Sequence, residues 1–470
     1  MKEKCQVFTP ENYVAELLDS VNYKNNIIGK KVLENSCGDG NVLKSIVQRY
    51  IKDGKRNFCS DIEIARGLSR DIYGVEIDKE QYEKCILDLN QLLKYNSLPP
   101  VRWKIYNTDY LRWDNNEKFD YIVGNPPYVT YKELSIAERN FLRVNYDSCK
   151  KGKFDYCYAF IEKSFLSLSQ NGKMSYLIPN SIFKTVFGEK LRDIILPGVV
   201  EIKDYTNFRI FKEALVKSAI IVLNANNKKK TIIYKDYSNN YTLKKNLCDF
   251  EEKWIFASKK SKKKRFGDYY QVSHVIATLY NNAFILKNWE KRNNKIVCDG
   301  ISIEKGVLRI AATPRKNKKK EYIIFPYFYK NGVLNHYSVE DFEYQFPGAT
   351  AHLNKFREKL DKRMKDKNTS WFEYGRSQAL NHINSKKLLI STVVTNSIKL
   401  FKLDNNCIPY SGMYITALGN NSLETAKQIL ESDDFLMYVK NIGIHISGTS
   451  VRITSKDIMN YTFNEGDVDI

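Results

Sequence analysis

The 470-residue chain lacks three features that would place it in a membrane, outside the cell or among zinc-binding modules. It has no apolar run long enough to span a bilayer. Its first ten residues turn polar at once, so we expect no secretory signal. None of its nine cysteines forms a Cys-x-x-Cys pair, so we expect no zinc site and no metal in the reaction. The odd number of scattered cysteines favours reduced thiols in a cytoplasm.

Acidic residues are few relative to basic ones. Asp and Glu total 54 against 75 Lys and Arg, which gives a net charge of +21. A protein this basic usually binds a polyanion, so nucleic acid is favoured over the alternative of a merely soluble, Lys-rich composition. Hydrophobic residues make up 43% of the chain, enough for a sizeable core, and the length predicts two domains or three.

Short apolar runs alternate with helical periodicity up to about residue 225. This alternation predicts an α/β fold, with a mostly parallel, doubly wound sheet and helices on both faces. In such sheets ligands bind beyond the carboxyl ends of the strands. We place a catalytic domain at 1–235 and a second, mixed α/β domain at 236–470, with Lys228–Arg265 as the boundary region. The strand candidates are Lys31–Glu34, Asp71–Glu76, Arg102–Tyr106, Phe119–Val123, Lys173–Pro179 and Ala219–Leu223.

A glycine-rich turn follows the first predicted strand and precedes a helix. Its glycines let the backbone pass close to a ligand, and the helix start offers free N–H groups. Taken alone, the pattern is equally typical of a tight connection between a strand and a helix. The residues that it would offer to a ligand are Glu34, Ser36, Cys37, Gly38 and Gly40.

Acidic residues end the next two predicted strands. Glu76, followed by Ile77, can accept hydrogen bonds from both hydroxyls of a ribose, while Asp78 suits a helix cap. Glu76 lies well beyond the roughly 20 residues that separate glycines and acid in the dinucleotide fingerprint, so the intervening segment must carry an insertion. Asp109, followed by Tyr110, is placed to accept a hydrogen bond from an adenine amino group, although a turn aspartate alone means nothing.

The most specific pattern is Asn125-Pro126-Pro127-Tyr128, directly after the strand candidate Phe119–Val123. Two prolines remove two N–H donors and lock the turn in one shape. The Asn125 side-chain oxygen and the Pro126 carbonyl can then both accept from one –NH₂ group, while Tyr128 offers a ring face for stacking. Because Asn cannot take a proton at neutral pH, its role would be positioning and electrostatics. The alternative is a rigid turn with a packed aromatic.

Phe119–Tyr128 and Leu33–Leu43 resemble motifs IV and I of the adenine-N6 DNA methyltransferases. Val7–Glu11 resembles motif X, Lys153–Phe160 motif V and Asn207–Ala214 motif VIII. The order X, I, IV, VIII, followed by a separate target-recognition domain, is that of the gamma class. The chain therefore resembles a single-chain, gamma-class enzyme of the Asn-Pro-Pro-Tyr type.

This resemblance implies a Rossmann-like domain that transfers a methyl group from S-adenosylmethionine to N6 of a flipped-out adenine in duplex DNA. Phe211 matches the aromatic residue with which Tyr128 would hold the extruded base. Asn125, Pro126, Pro127 and Tyr128 are the implied catalytic residues. The implied cofactor-binding residues are Phe8, Thr9, Pro10, Glu34, Ser36, Cys37, Gly38, Gly40, Glu76, Ile77, Asp109, Tyr110 and Asn125.

The second domain would then recognise the target sequence. Its candidate DNA-binding residues are Arg315, Arg376, Gln378 and Arg452, although each Lys run suits a solvated loop equally well. For the aromatics of Trp371–Tyr374 we expect core packing in at least two of three. We expect a monomer, acting in the cytoplasm at the bacterial nucleoid. Whether a separate cognate restriction endonuclease exists, or the enzyme is an orphan, stays open.

Two departures and three alternatives accompany this interpretation. Asn35 stands where the family usually has Pro, and the long Leu43–Asp71 segment suggests a lid or an extra contact surface. Asn-Pro-Pro-Tyr also occurs in RNA adenine methyltransferases and in protein glutamine methyltransferases, so RNA or protein substrates remain alternatives. A combined restriction and modification enzyme is the second alternative, because Glu201-Ile202-Lys203 superficially resembles half of a nuclease carboxylate–lysine motif, but the position of this segment favours a strand of the sheet. A catalytically inactive DNA-binding module is disfavoured by the intact Asn125–Tyr128.

Overall fold

The structure is a computed structural model that describes residues 9–211, 216–256, 264–315, 320–380 and 382–464. The chain divides into two compact units, Met1–Ala257 and Ser258–Ile470. Over the described ranges, every helix is too short or too polar to cross a membrane.

The first unit is a large sheet with helices on both faces. Its helices are α1 Glu11–Ser20, α2 Asn41–Arg56, α3 Asp61–Asp71, α4 Lys79–Tyr95, α5 Ile136–Asn145, α6 Cys157–Leu166 and α7 Glu189–Ile195. Its strands are β1 Val32–Glu34, β2 Ile72–Glu76, β3 Lys104–Asn107, β4 Phe119–Gly124, β5 Leu168–Pro179, β6 Val199–Asp204, β7 Ser218–Asn224, β8 Thr231–Asp236 and β9 Tyr241–Asn246.

The strand order of this sheet is β3-β2-β1-β4-β5-β7-β6-β8-β9. The first five strands in this order, β3, β2, β1, β4 and β5, are parallel to one another, whereas β7 runs antiparallel to both β5 and β6. Each of the six predicted strands is present, and Glu201–Lys203 lies in β6 as expected. The prediction of a mostly parallel, doubly wound sheet is confirmed.

Two hydrophobic cores lie on opposite faces of the sheet. Along β7, Ala219, Ile221 and Leu223 join one core while Ile220 and Val222 join the other, because successive side chains of a strand point to opposite faces. Helices α1 to α4 contribute to the second core and α5 to α7 to the first. Burial on both faces explains why these strands read as continuous apolar runs.

The insertion that the spacing of Glu76 required is α3. A capping box starts this helix: the Ser60 side chain accepts the Glu63 N–H, and the Glu63 carboxylate accepts the Ser60 N–H at 2.7 Å. At its other end, Asp71 accepts hydrogen bonds from the Gly29 N–H at 2.9 Å and the Tyr50 hydroxyl at 2.5 Å. Because α3 packs on α2 and leads directly into β2, the segment is an integral part of the fold rather than a lid.

The first unit ends later than the predicted boundary between 235 and 236. Strand β9 pairs with β8 across residue 236, so a division there would cut a hairpin. Trp254, 1% exposed, packs in the first core, and its backbone N–H donates to the Phe183 carbonyl at 2.8 Å. The observed division at 257/258 lies within the predicted boundary region.

The second unit is built from small sheets and short helices. Its helices are α8 Asn281–Phe284, α9 Val339–Gln345, α10 Pro347–Asn354, α11 Arg357–Asp361, α12 Leu423–Glu431, α13 Asp433–Ile442 and α14 Ser455–Met459. Its strands are β10 Lys264–Arg265, β11 Tyr270–His274, β12 Ile285–Leu286, β13 Trp289–Arg292, β14 Lys295–Cys298, β15 Ile301–Ile303, β16 Leu308–Ala312, β17 Glu321–Ile324, β18 Tyr327–Lys330, β19 Val333–His336, β20 Lys387–Ile390, β21 Val393–Val394, β22 Phe401–Leu403, β23 Cys407–Pro409, β24 Met413–Ala417, β25 Ile444–Ser447, β26 Ser450–Arg452 and β27 Thr462–Phe463.

This second unit is mixed α/β, as predicted. Its two four-stranded sheets have the orders β11-β24-β20-β22 and β12-β17-β16-β23. Trp371, Phe372 and Tyr374 are all buried, at 5%, 0% and 1% exposure, in one of its two cores. These three aromatics therefore pack the core.

Candidate active site

Two loops leave the carboxyl ends of β1 and β4, which are adjacent parallel strands in the middle of the large sheet. The next strand after β1 lies on one side of this pair, and the next strand after β4 lies on the other. In open α/β sheets, ligands bind at the crevice where the strand order reverses in this way. Glu34 ends β1, and the predicted residues Ser36–Gly40 and Asn125–Tyr128 belong to these two loops.

The loop after β1 depends on two glycines with left-handed backbone conformations. Gly38 has a φ of +51°, and Gly40, which precedes the first residue of α2, has a φ of +81°. The Cys37 N–H donates to the Val75 carbonyl at 3.1 Å, which ties the loop to β2. The loop thus brings the backbone and the amino end of α2 to the crevice, an arrangement suited to a polar or anionic ligand group.

We expect Gly40→Ala to lower the free energy of unfolding by about 2–4 kcal/mol. Alanine disfavours this φ, and its Cβ would lie 2.8 Å from the Cys85 Sγ. Gly332→Ala is the control, since Gly332 has a φ of +76° but no atom within 4 Å of a built Cβ. Urea unfolding of both variants measures the difference. A cost at Gly40 no greater than at Gly332 would contradict the packing argument.

Glu76, the last residue of β2, is hydrogen-bonded to the loop after β1. Its Oε2 accepts the Gly38 N–H at 2.7 Å, and its Oε1 accepts the Asp78 N–H at 2.8 Å. Asp78 itself caps α4 by accepting the Gln81 N–H at 3.0 Å, as the sequence predicted. The neighbouring Ile77 is 48% exposed and offers apolar surface beside this carboxylate.

Glu34 is a buried carboxyl group at the end of β1. Its side chain is 2% exposed, and its Oε2 lacks a hydrogen-bond partner among the described residues. Burial, followed by the negative charge of Glu76, raises the pKa of Glu34 well above its usual value. A cation bound nearby would offset both effects, so this part of the site fits a positively charged ligand.

The Asn125–Tyr128 loop is held against the loop after β1 through its backbone. The Ser36 hydroxyl donates to the Asn125 carbonyl at 3.0 Å. Pro126 is buried, while Asn125 and Pro127 are half-buried. The Tyr128 hydroxyl donates to the Leu177 carbonyl at 2.9 Å, and burial raises the pKa of Tyr128 well above its usual value, so the phenol stays neutral.

Tyr128 and Phe211, the predicted base-stacking pair, contact each other directly. Their ring centroids lie 6.3 Å apart with an angle of 69° between the planes, and Phe211 is 2% exposed. A base stacked between two rings needs them parallel and about 7 Å apart, twice the carbon contact distance. The tertiary structure therefore brings the pair together, but in an edge-to-face arrangement that has no room for a base.

Three predicted cofactor residues lie at the start of the chain. Phe8 falls outside the described residues. Thr9 is 6% exposed, and Pro10 directly precedes α1, which packs against α2, β4 and β5. The helix that these residues precede thus packs against β4, the strand that ends directly before Asn125.

Asp109 and Tyr110 follow β3, but both side chains are engaged within the protein. Asp109 accepts the Leu111 N–H at 2.9 Å and forms an ion pair with Arg112. Tyr110 is 2% exposed, and its hydroxyl lies 3.0 Å from the Ser164 Oγ in the first core. Tyr110 can face a ligand only through its backbone.

A buried hydroxyl network below the loop was not predicted from the sequence. The Asn35 Nδ2 donates to the Ser164 Oγ at 2.8 Å, and Ser164 also lies 2.7 Å from the Tyr176 hydroxyl. Asn35 thus anchors the loop through its side chain where the family usually has a rigid proline. Ser164 is 129 positions further along the chain, so no local pattern could have identified this contact.

Asp155 is a further carboxyl group near the Asn125–Tyr128 loop. It lies in the segment that resembles motif V, but no role was predicted for it from the sequence. It forms an isolated bridge with Thr130, just after the Asn125–Tyr128 loop, and accepts the Cys157 N–H at 3.3 Å. Burial raises the pKa of Asp155 to about 6. The ionised form is therefore disfavoured in the folded protein.

We expect Asp155→Asn to weaken the pH dependence of stability in the acid range. The pKa of Asp155 is higher in the folded than in the unfolded chain, so its favourable contribution is complete below the unfolded pKa and is lost as pH rises through about 6. The wild type should therefore lose more stability than the variant between about pH 4 and pH 8. Urea unfolding at several pH values tests this, with the exposed Asp114→Asn as control. Parallel profiles for wild type and Asp155→Asn would contradict it.

The predicted DNA-binding residues Arg315, Arg376, Gln378 and Arg452 all lie in the second unit and are all exposed. Arg376 is not a free cation, because its Nη1 donates to the Asp366 carboxylate at 2.6 Å. Arg452 lies on β26, whose neighbours are β21 and β25. Arg315 directly precedes residues 316–319, which lie outside the described part of the chain.

The sheet order and the two loops at its switch point define a Rossmann-like fold. Residues 64–211 match the Eco57I restriction-modification methylase family. The Type II methyltransferase M.BstVI of Geobacillus stearothermophilus is 25% identical over 95% of this chain and 87% of that protein. The restriction enzyme and methyltransferase RM.Eco57I of Escherichia coli is 25% identical over 62% of this chain and 34% of that protein.

Among solved structures, the restriction-modification enzyme MmeI in complex with DNA has the same fold across both units. It matches 96% of this chain and 64% of that chain, with a TM-score of 0.59 and 16% sequence identity. The chain thus spans about a third of RM.Eco57I and less than two thirds of MmeI. Together these findings confirm the predicted resemblance: the protein is an enzyme, a methyltransferase, and it is similar to methyltransferases of restriction-modification systems.

Proposed function

We propose that the protein transfers the methyl group of S-adenosylmethionine to the exocyclic N6 of adenine within a specific sequence of duplex DNA. The observation that carries this proposal is the Asn125-Pro126-Pro127-Tyr128 loop, held by Ser36 against the glycine-rich loop at the switch point of the sheet. A basic chain, and relatives named as Type II methyltransferases, support DNA as the substrate.

The site fits S-adenosylmethionine through the charge and backbone geometry of its residues. When bound, this cofactor supplies an electrophilic methyl group on a sulfonium centre, and its methionine end carries an ammonium group. The buried Glu34 Oε2, which has no hydrogen-bond partner in the described part of the chain, suits such a cation. Glu76, which accepts the Gly38 N–H, would also accept from the ribose hydroxyls. The exposed Ile77 would contact the adenine ring, and Gly38 would allow close backbone approach.

Asn125 and Pro126 would orient the target amine. The Asn125 side-chain oxygen and the Pro126 carbonyl each accept one N–H of the –NH₂ group, which turns the nitrogen lone pair toward the methyl group. Because Asn125 is not basic, the proton released on N-methylation passes to water. Catalysis then rests on alignment and on dipoles fixed before the reaction.

Tyr128 would stack on the adenine after it leaves the helix. Stacking contributes about 1–3 kcal/mol per base and offsets part of the cost of unpairing. Because Tyr128 and Phe211 now lie edge to face, we propose that Phe211 moves away when the base enters and then covers its other face.

Transfer of labelled methyl from S-adenosylmethionine to unmethylated genomic DNA tests the function. Total RNA and a cell protein extract serve as parallel substrates, and the labelled nucleosides are identified after digestion. N6-methyladenine in the DNA, concentrated at one sequence, is the expected result. Label only in RNA, or only in glutamine side chains of protein, would overturn the DNA proposal and leave the methyltransferase fold unaffected.

A further inference from the structure

A further cluster of potential metal ligands lies in the second unit and contains none of the residues assigned above. Cys298 is the last residue of β14, Asp299 follows it in the turn to β15, and His352 lies on α10. One potential metal-binding atom of each of the three lies within 4.8 Å of the other two. The sequence has no Cys-x-x-Cys spacing that would indicate this cluster, and α10 comes some fifty positions after the turn.

His352 is arranged as metal-binding histidines usually are. It is 2% exposed, and its Nε2 lies 3.2 Å from the Ala283 carbonyl, which can only accept, so Nε2 carries the proton. Its Nδ1 is therefore a lone-pair acceptor, and it is buried with no hydrogen-bond partner among the described residues. Burial also lowers the pKa of His352 and keeps the ring neutral. A metal-ligating imidazole commonly donates the N–H of its other ring nitrogen to a backbone carbonyl, which fixes the orientation of the ring.

The protein holds both parts of the cluster in place. Asp299 and Gly300 have φ values of +49° and +80°, as a tight hairpin turn between β14 and β15 requires. The Glu304 carboxylate, just after β15, accepts the Gly348 N–H at 2.8 Å and the Ala349 N–H at 3.0 Å. These bonds attach the start of α10 to the hairpin that carries Cys298 and Asp299.

We propose that Cys298, Asp299 and His352 bind one Zn²⁺ ion, with water as the fourth ligand. Sulfur, imidazole nitrogen and carboxylate oxygen are all zinc ligands, and in a tetrahedral site they lie about 3.5 Å apart. Asp299 is exposed, so its side chain can close the remaining distance and the ion can enter from solvent. The Cys298 thiol loses its proton to solvent on binding. Lys355, whose Nζ donates to the Asp299 carbonyl at 3.4 Å, is a positive charge that opposes the ion.

This ion would cross-link the β14–β15 hairpin to α10 within the unit that we expect to recognise the target sequence. It takes no part in methyl transfer, so the proposal goes beyond the proposed function and does not depend on it.

Titration of the full, tag-free chain with Co²⁺ after chelator treatment tests the proposal. We expect a thiolate-to-cobalt charge-transfer band that saturates at one ion per chain and that Zn²⁺ abolishes. Cys298→Ala should remove the band and lower Zn²⁺ affinity at least about 100-fold, since even supporting residues of metal sites account for 10–100-fold. Cys248→Ala, which removes an exposed cysteine of the first unit, should leave both unchanged.

Asp299→Asn is the second variant, because it alters an exposed turn residue and asparagine tolerates a positive φ. We expect it to keep the wild-type circular dichroism spectrum and lower Zn²⁺ affinity about 10-fold or more. Absence of a saturable band in the wild type would overturn the site. So would a band that survives in Cys298→Ala, or Zn²⁺ affinity unchanged in Asp299→Asn.

Discussion

Asn125→Ala should reduce methyl transfer about 1,000-fold, the upper end of the range for loss of one preorganised polar group. Affinity for S-adenosylmethionine should change little. The physical reason is that the backbone holds the loop: Ser36 donates to the Asn125 carbonyl, Pro126 is buried, and Tyr128 is bonded to the Leu177 carbonyl. Truncating the Asn125 side chain therefore removes an acceptor for the target amine and leaves the loop in place. Single-turnover transfer and calorimetric cofactor binding measure the two effects.

Asn125→Asp is the matched variant for this experiment. It keeps an acceptor oxygen at the same position and should retain more activity than Asn125→Ala. Equal loss of cofactor binding and methyl transfer in Asn125→Ala would show that Asn125 supports the fold rather than the reaction. Full activity in that variant would exclude Asn125 from the catalytic site.

Glu76→Ala should weaken S-adenosylmethionine binding at least about 100-fold, or about 2.7 kcal/mol. This carboxylate accepts the Gly38 and Asp78 N–H groups, and hydrogen bonds to a charged group contribute about 1.5–3 kcal/mol each. Its removal frees the glycine-rich loop and takes away the acceptor proposed for the ribose hydroxyls. Calorimetry with S-adenosylmethionine and with S-adenosylhomocysteine measures the loss.

Two controls separate these contributions. Glu76→Gln keeps one acceptor oxygen, but its –NH₂ group opposes the second backbone N–H, so we expect an intermediate affinity. Glu83→Ala removes an exposed carboxylate from α4 and should bind the cofactor as the wild type does. Wild-type affinity in Glu76→Ala would remove Glu76 from the cofactor site.

The sheet was predictable because its strands are buried on both faces. Strands β1, β2, β4 and β7 are mainly apolar runs that end at turn residues, and the sequence located each of them. Of β5 it located the mainly buried part, Lys173–Pro179, and missed the mostly polar first residues. The hairpin of β8 and β9 was missed because β9 lies at the edge of the sheet, where most of its side chains are exposed and polar. That omission put the predicted boundary between the units too early.

The sequence by itself determined the local chemistry: two glycines before a helix, acids at strand ends, and Asn125-Pro126-Pro127-Tyr128 after a strand. These are properties of neighbouring residues, whose backbone preferences act within a few positions. Only the tertiary structure decided that Ser36 contacts Asn125, that the Glu34 Oε2 has no hydrogen-bond partner among the described residues, and that Tyr128 contacts Phe211 edge to face. The same holds for His352 beside Cys298. Contacts of this kind depend on strand order and helix packing, because burial of apolar faces brings distant segments together without any local signal.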